Sequence, residues 1–176
     1  GWGQINHPHL PVNGMMTFPT ELTLRTTRNG VRLYSYPVAE LAKLQELKGN
    51  WANLKAEEAT AKLKPYDKEG ALLIKTTIRL SHATSAGISL DGQNIVDYDM
   101  NRNTINGTFY SPEEIGSMEL KMTLLIDRTS VEVYIDDGAY SYVMERRAHN
   151  SSGFNFWGNN IMVKELEVST LRSIWE

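Results

Sequence analysis

Carboxylates stand as near neighbours in two places, Asp97 with Asp99 and Asp136 with Asp137. Two such groups facing one bond can do hydrolysis, one as nucleophile or base and the other as acid. Residues at i and i+2 of a strand face the same way, so Asp97 and Asp99 share a side. Two acids on a solvated face is the simpler reading of either pair. His7 and His9 flank Pro8, yet two histidines without a third ligand are weak evidence for a metal. Cysteine is absent, which excludes disulfides, thiolate zinc sites and a cysteine nucleophile. No glycine-rich phosphate loop, nucleophile elbow or zinc-binding helix occurs. No catalytic set, metal or cofactor is therefore expected from these residues.

Composition narrows the partners. The chain has 176 residues, a formal net charge of −3 and no basic cluster, so the footprint of a nucleic-acid binder is missing. No apolar run approaches the roughly 18 residues of a membrane span. The length suits one domain, or one domain plus a fragment of another. Gly1-Trp2-Gly3 looks like an arbitrary start, from which a leader could have been removed. The sequons Asn106-Gly107-Thr108 and Asn150-Ser151-Ser152 are short enough to arise by chance.

The elements that would position these residues are strands. Met118, Leu120, Met122, Leu124 and Ile126 alternate with mostly polar neighbours, and Val131, Val133 and Ile135 alternate with Glu132, Tyr134 and Asp136. Asp127-Arg128-Thr129-Ser130 and the Asp137-Gly138 dipeptide supply turns, and Tyr140, Tyr142 and Met144 resume beyond. The pattern predicts a three-stranded antiparallel meander over 117–144, half buried and half wet. Further strands are expected over 71–81, 86–90, 94–99 and 161–171, the last with a bulge near Lys164-Glu165. Residues 101–108 and the run Ser111-Pro112-Glu113-Glu114 read as turn or loop.

Residues 1–14 read as an extended arm. Leu22, Leu24, Val31 and Leu33 around Asn29-Gly30 predict a hairpin over 15–37. Val38, Leu41, Leu44 and Leu47 fall three apart, as on one side of a short helix. Residues 50–64 favour helix on propensity, whereas the resemblance described next favours strand and loop, which we adopt. Many strands with little helix point to an all-β, antiparallel β-sandwich, preceded by a hairpin arm and a short helical linker.

The runs Gly14-Met15-Met16-Thr17-Phe18-Pro19-Thr20-Glu21-Leu22-Thr23-Leu24, Gly30-Val31-Arg32-Leu33 and Pro37-Val38-Ala39-Glu40-Leu41 resemble the end of the catalytic domain in glycoside hydrolase family 32. That family holds invertases, levanases and inulinases. Leu125-Ile126-Asp127 and Ser130-Val131-Glu132-Val133-Tyr134, followed by Asp137-Gly138, resemble its C-terminal β-sandwich. Thr20 departs from the usual Arg and Tyr134 from the usual Phe. The resemblance implies that residues 1–44 are the tail of a catalytic propeller with its linker, and that 45–176 are the C-terminal sandwich in a jelly-roll or concanavalin-like form. The family's catalytic motifs are absent, so the chain alone is expected to be non-catalytic, within a parent β-fructofuranosidase. A fructan-degrading parent implies an extracellular or periplasmic location.

Some sandwiches of this family, and related fructan-binding modules, bind a terminal fructose through acidic and Arg side chains, which marks candidates by resemblance. Asp99 and Arg102 fall in a Tyr-Asp strand followed by an Asp-Arg pair, with Asn101 in place of the second Asp. Glu132 matches the family's Val-Glu-Val, with Tyr134 beside it. Trp157 is an aromatic platform candidate, although like Trp51 it reads more readily as core, since aromatics carry most core area. An ion pair between Arg102 and Glu132 is the competing structural reading. The expected partners are the propeller of the same polypeptide, β-fructan, and a second copy of the chain paired through the hairpin. An autonomous fructan-binding module and a catalytic fragment with unrecognised acids are the alternatives.

Overall fold

Period-two alternation builds two large antiparallel sheets and two two-stranded ones in the computed structural model, which describes residues 2–3, 15–81, 83–110, 118–147 and 151–172. His7, His9, the 111–114 run and Asn150 lie outside the described residues. The strands are β1 (Trp2–Gly3), β2 (Met15–Met16), β3 (Thr20–Thr27), β4 (Gly30–Pro37), β5 (Gln45–Leu54), β6 (Leu72–Arg79), β7 (Ser85–Leu90) and β8 (Gln93–Asp99). They continue with β9 (Thr104–Ile105), β10 (Thr108–Phe109), β11 (Glu119–Ile126), β12 (Ser130–Ile135), β13 (Tyr140–Glu145), β14 (Phe154–Gly158) and β15 (Met162–Leu171). A 3-10 helix spans Ala39–Leu44 and α1 spans Ala56–Leu63.

The larger sheet has the order β13-β12-β11-β6-β15-β5 and the smaller β10-β9-β8-β7-β14. Their facing sides make one core. Ile74, Ile78, Leu120, Met122, Leu124, Val133 and Val168 contribute from one sheet, and Ile88, Val96, Tyr98 and Phe156 from the other. The expected alternation holds throughout the meander: Leu120, Met122, Leu124, Ile126, Val131, Val133 and Ile135 are all buried in that core. The β15 bulge falls between Val163 and Glu165 against β6, as the phase change in its sequence requires.

The free edge of β14 is managed by side chains. Thr60 of α1 accepts the Phe156 N–H at 2.9 Å, and Asp67 accepts the Phe154 N–H at 2.9 Å. Two amides that would otherwise invite another strand are thereby satisfied. Arg146 binds the same corner, donating to the carbonyls of Asp67 and Glu69.

The structure departs from the sequence pattern in four places. Residues 56–63 are helical rather than strand and loop. Lys55 N–H donates to Glu58 Oε2 at 2.8 Å, and Ala59 and Leu63 bury one face, so propensity and capping agree there. The tip of the first hairpin is Arg28-Asn29, since Thr27 pairs with Gly30; Gly30, at φ +98°, is the first residue of the return. Asp137-Gly138 is not a two-residue turn, because Ile135 pairs with Tyr140, and Asp136, Asp137 and Gly138 all take positive φ.

The meander is also not half wet. Every residue of β12 is buried, because the chain before β5 folds over the outer face of the larger sheet. Phe18, Tyr36, Leu41 and Leu44 cover Leu73, Leu125 and Tyr134 there. The period of three at Leu41 and Leu44 is that of the 3-10 helix itself, which sets both on one side.

The hairpin is docked by one face alone. Tyr34 is buried, with Arg25 Cζ 4.2 Å above its ring, and the Tyr36 hydroxyl meets Thr123 Oγ1 at 2.9 Å. Ser35 O presses so closely on Gly138 that an added Cβ would lie 2.2 Å from it. On the opposite face Leu22, Leu24, Val31 and Leu33 are 62%, 72%, 67% and 56% exposed.

Candidate functional site

Glu132 sits between Val131 and Val133, whose side chains enter the core, so its own points outward from the larger sheet. There the arm before β3 closes over it. Oε1 accepts the Phe18 N–H at 2.9 Å and Oε2 accepts the Tyr134 O–H at 2.6 Å. Burial pushes the Glu132 carboxyl above its ordinary range, while the two hydrogen bonds pull it back. Burial, then the hydrogen bond to Glu132, pushes the Tyr134 phenol up as well.

A pocket of about 190 Å³ opens beside this pair, lined also by Thr17, Thr20, Ser35 and Ser141. Four hydroxyls and one carboxylate can hold a small polyol by hydrogen bonds. They cannot supply the two opposed carboxyl groups of glycoside hydrolysis, since Glu132 is the one acid in the lining.

The remaining candidates lie elsewhere. Asp99 Oδ1 accepts the N–H groups of Asn101 and Arg102 at 2.9 and 3.1 Å, so this carboxylate shapes the turn after β8. Arg102 Nε stands 3.7 Å from Asp99 Oδ2 with its side chain 81% exposed. The two acidic candidates thus keep separate partners: Arg102 pairs with Asp99 and not with Glu132, which corrects the expected ion pair. Trp157 is in register with Gly87 and, through it, with Asp97. Its ring lies against Gly87 so closely that a Cβ there would come within 2.7 Å of Cζ2, and its buried Nε1 has no hydrogen-bond partner among the described residues. Glu132 and Tyr134 are brought together, as are Asp99 and Arg102; Trp157 stands apart from both.

The acid pairs that opened the search divide in the same way. Asp136 turns inward to accept the Tyr110 hydroxyl, and burial pushes its carboxyl up. Asp137 turns outward to Lys121 at 2.8 Å. Asp97 accepts from Asn94 Nδ2 at 3.4 Å. Trp51 packs against the core and carries Lys62 Nζ 5.6 Å over its ring. No group of three or more His, Cys, Asp or Glu that could hold a metal occurs among the described residues. Sequence reasoning missed Phe18, Tyr36 and the covered outer face. The signal was Leu125, an apolar residue on the nominally wet side of β11.

Two sheets, a shared core and an arm that leaves one apolar face open define a β-sandwich module. No family model matches the chain. A levanase of Bacillus subtilis (strain 168) is 25% identical across 99% of this chain and 30% of that protein. A levanase of Bacillus sp. (strain L7) is 23% identical across 92% of this chain and 20% of its own length. Among solved structures, exo-inulinase from Aspergillus awamori shares the fold with a TM-score of 0.68, 13% identity, 97% of this chain and 38% of that chain covered. The sequence resemblance to glycoside hydrolase family 32 is borne out by these matches. The chain spans less than a third of the length of the curated relatives it matches.

Proposed function

We propose that the chain is the non-catalytic β-sandwich of a longer β-fructosidase, and that its hairpin anchors the sandwich to the catalytic propeller. In this reading residues 1–44 are the propeller's last strands and linker, and 45–176 are the sandwich that stabilises it. The observation that carries the proposal is the stripe of Leu22, Leu24, Val31 and Leu33, four large apolar side chains each more than half exposed on one face of a two-stranded sheet. A two-stranded hairpin is marginal in water unless its apolar face is covered. The sandwich covers the Tyr34/Tyr36 face, which leaves the other for a partner. The coverage of the levanases by this chain leaves most of a longer polypeptide to supply it.

The chain alone then hydrolyses neither sucrose nor fructan: among the described residues the Glu132 pocket holds a single carboxylate, and Asp137 and Glu167 on the outer face of the larger sheet are paired with Lys121 and Lys75. Contact with fructan is assigned to the hydroxyl-lined pocket of Glu132 and Tyr134. Replacing Leu24 and Leu33 together by Lys tests the anchor. The melting temperature of this chain should hold, while that of the longer polypeptide should drop by several degrees. A drop in the chain alone would mean that the stripe is covered within this domain, or by a second copy of it. Turnover of sucrose or levan by the purified chain above a buffer blank would remove the non-catalytic reading.

A further inference from the structure

Two Asn-Gly dipeptides lie among the described residues, and the fold treats them in opposite ways. Such a pair carries its own chemistry: the asparagine carboxamide can be attacked by the backbone nitrogen of the glycine, which no side chain shields. Asn29 stands at the tip of the first hairpin with Gly30 opening the return, and Asn106-Gly107 makes the turn between β9 and β10. The glycines do not separate the two sites. They take φ of +98° and +76°, and a Cβ added to either would meet no atom within 4 Å.

The carboxamides do separate them. Asn106 Nδ2 donates to Ile95 O and to the Tyr142 hydroxyl, both at 3.0 Å, and Oδ1 accepts the Asp97 N–H at 2.8 Å. The Tyr142 hydroxyl is itself fixed, donating to Ile95 O at 2.8 Å. Both ends of the Asn106 amide are therefore held, and Cγ cannot swing toward the Gly107 nitrogen without breaking these bonds. Asn29 is exposed and is held by its backbone, whose N–H donates to Thr27 Oγ1 at 3.1 Å. Its carboxamide has no hydrogen-bond partner among the described residues. A loop tip is also where a hairpin opens most readily.

We infer that Asn29 is a site of spontaneous deamidation through a cyclic imide, and that the fold protects Asn106 from the same reaction. The Gly30 nitrogen gives its proton to hydroxide and bonds to Asn29 Cγ. The Cγ–Nδ2 bond breaks, and the amide nitrogen takes a proton from water and leaves as ammonia. Water then opens the imide. Opening at the Cγ carbonyl leaves aspartate, and opening at the main-chain carbonyl leaves isoaspartate, whose backbone runs through Cβ and Cγ. One water is consumed and one ammonia released, with no change of oxidation state. Either product puts a carboxylate beside Arg28 at the tip. Isoaspartate also lengthens the connection between the paired residues Thr27 and Gly30.

The test is peptide mapping by mass spectrometry of the full chain aged at neutral pH, with isoaspartate scored separately by enzymatic methylation. Asn29 should convert about a hundredfold faster than Asn106, the ratio given by three hydrogen bonds of ordinary net strength. The rate at Asn29 should rise with pH, because the deprotonated nitrogen attacks. In concentrated urea, where the lock on Asn106 is gone, the two rates should converge. Tyr142→Phe removes one of the three bonds and should speed Asn106 about fivefold in the folded chain. Asn29→Gln, whose longer side chain must close a larger ring, should keep its amide over the same period. Native rates within about threefold of each other would overturn the inference, since less than one hydrogen bond would then separate the sites. A difference that persists undiminished in urea would also overturn it, because flanking sequence and not the fold would then be its source.

Discussion

Glu132 Oε1 accepts the backbone N–H of Phe18 at 2.9 Å, joining residues 114 positions apart. The bond fastens the arm to the larger sheet at the point where the sheet's outer face goes from wet to covered. Its cost is a carboxyl held out of water, with a native pKa raised by burial. Such a group binds its proton more tightly folded than unfolded. Its contribution is full below the ordinary value of 4.5 and is lost as pH rises through the native value. Glu132→Gln keeps the shape and one of the two acceptor oxygens without the charge. Measured by urea unfolding, the native chain should lose stability relative to Glu132→Gln between pH 4.5 and neutrality. A relative gain over that window would contradict the assignment.

Gly138 tests how the hairpin is docked. Its φ of +90° disfavours any side chain, and the Ser35 carbonyl occupies the space of a Cβ. Gly138→Ala should cost roughly 1–3 kcal/mol and should loosen the Tyr34/Tyr36 contact, seen as a rise in tyrosine exposure. A variant as stable as the native chain would show that β4 is not held against this corner.

The core makes a plainer demand. Val133 is fully buried, so Val133→Asp places an unpaired charge between the sheets and should cost more than about 3 kcal/mol. Chemical denaturation reads this directly. A loss under about 1 kcal/mol would put Val133 at the surface and undo the sandwich.

Much of this architecture was legible because a strand with one face on the core writes that face into every second residue. Leu120 to Ile126 and Val131 to Ile135 declared both their period and their face. The β15 bulge was legible for the same reason, as a slip in that period at Lys164-Glu165. The helix at 56–63 was legible in propensity, but two buried side chains, Ala59 and Leu63, are too few to write a strong period, and the family resemblance pulled the reading to strand and loop, which holds only up to Leu54. Gly138 was misread because a glycine needed for close approach looks the same in sequence as one needed for a tight turn. The candidate site was legible only in part. The sequence placed Glu132 and Tyr134 on one side of β12, but their partner Phe18 comes from a distant segment that no local pattern links to them.

The edge of β14 gives a fourth prediction. Asp67→Ala removes the acceptor for the Phe154 N–H and should cost roughly 1–3 kcal/mol. Amide exchange at Phe154 should quicken more than at Phe156, which keeps Thr60. Equal protection of the two would contradict edge capping by Asp67.

The central claim is that the stripe of Leu22, Leu24, Val31 and Leu33 belongs under another domain. Hydrogen exchange over β3 and β4, measured in this chain as a dilute monomer and again in the longer polypeptide, tests it most directly. Exchange in the chain alone should be much faster over 22–33 than over the meander strands β11 and β12, and should slow to their level once the catalytic domain is attached. Protection over 22–33 that already equals the meander in the isolated monomer would contradict the account.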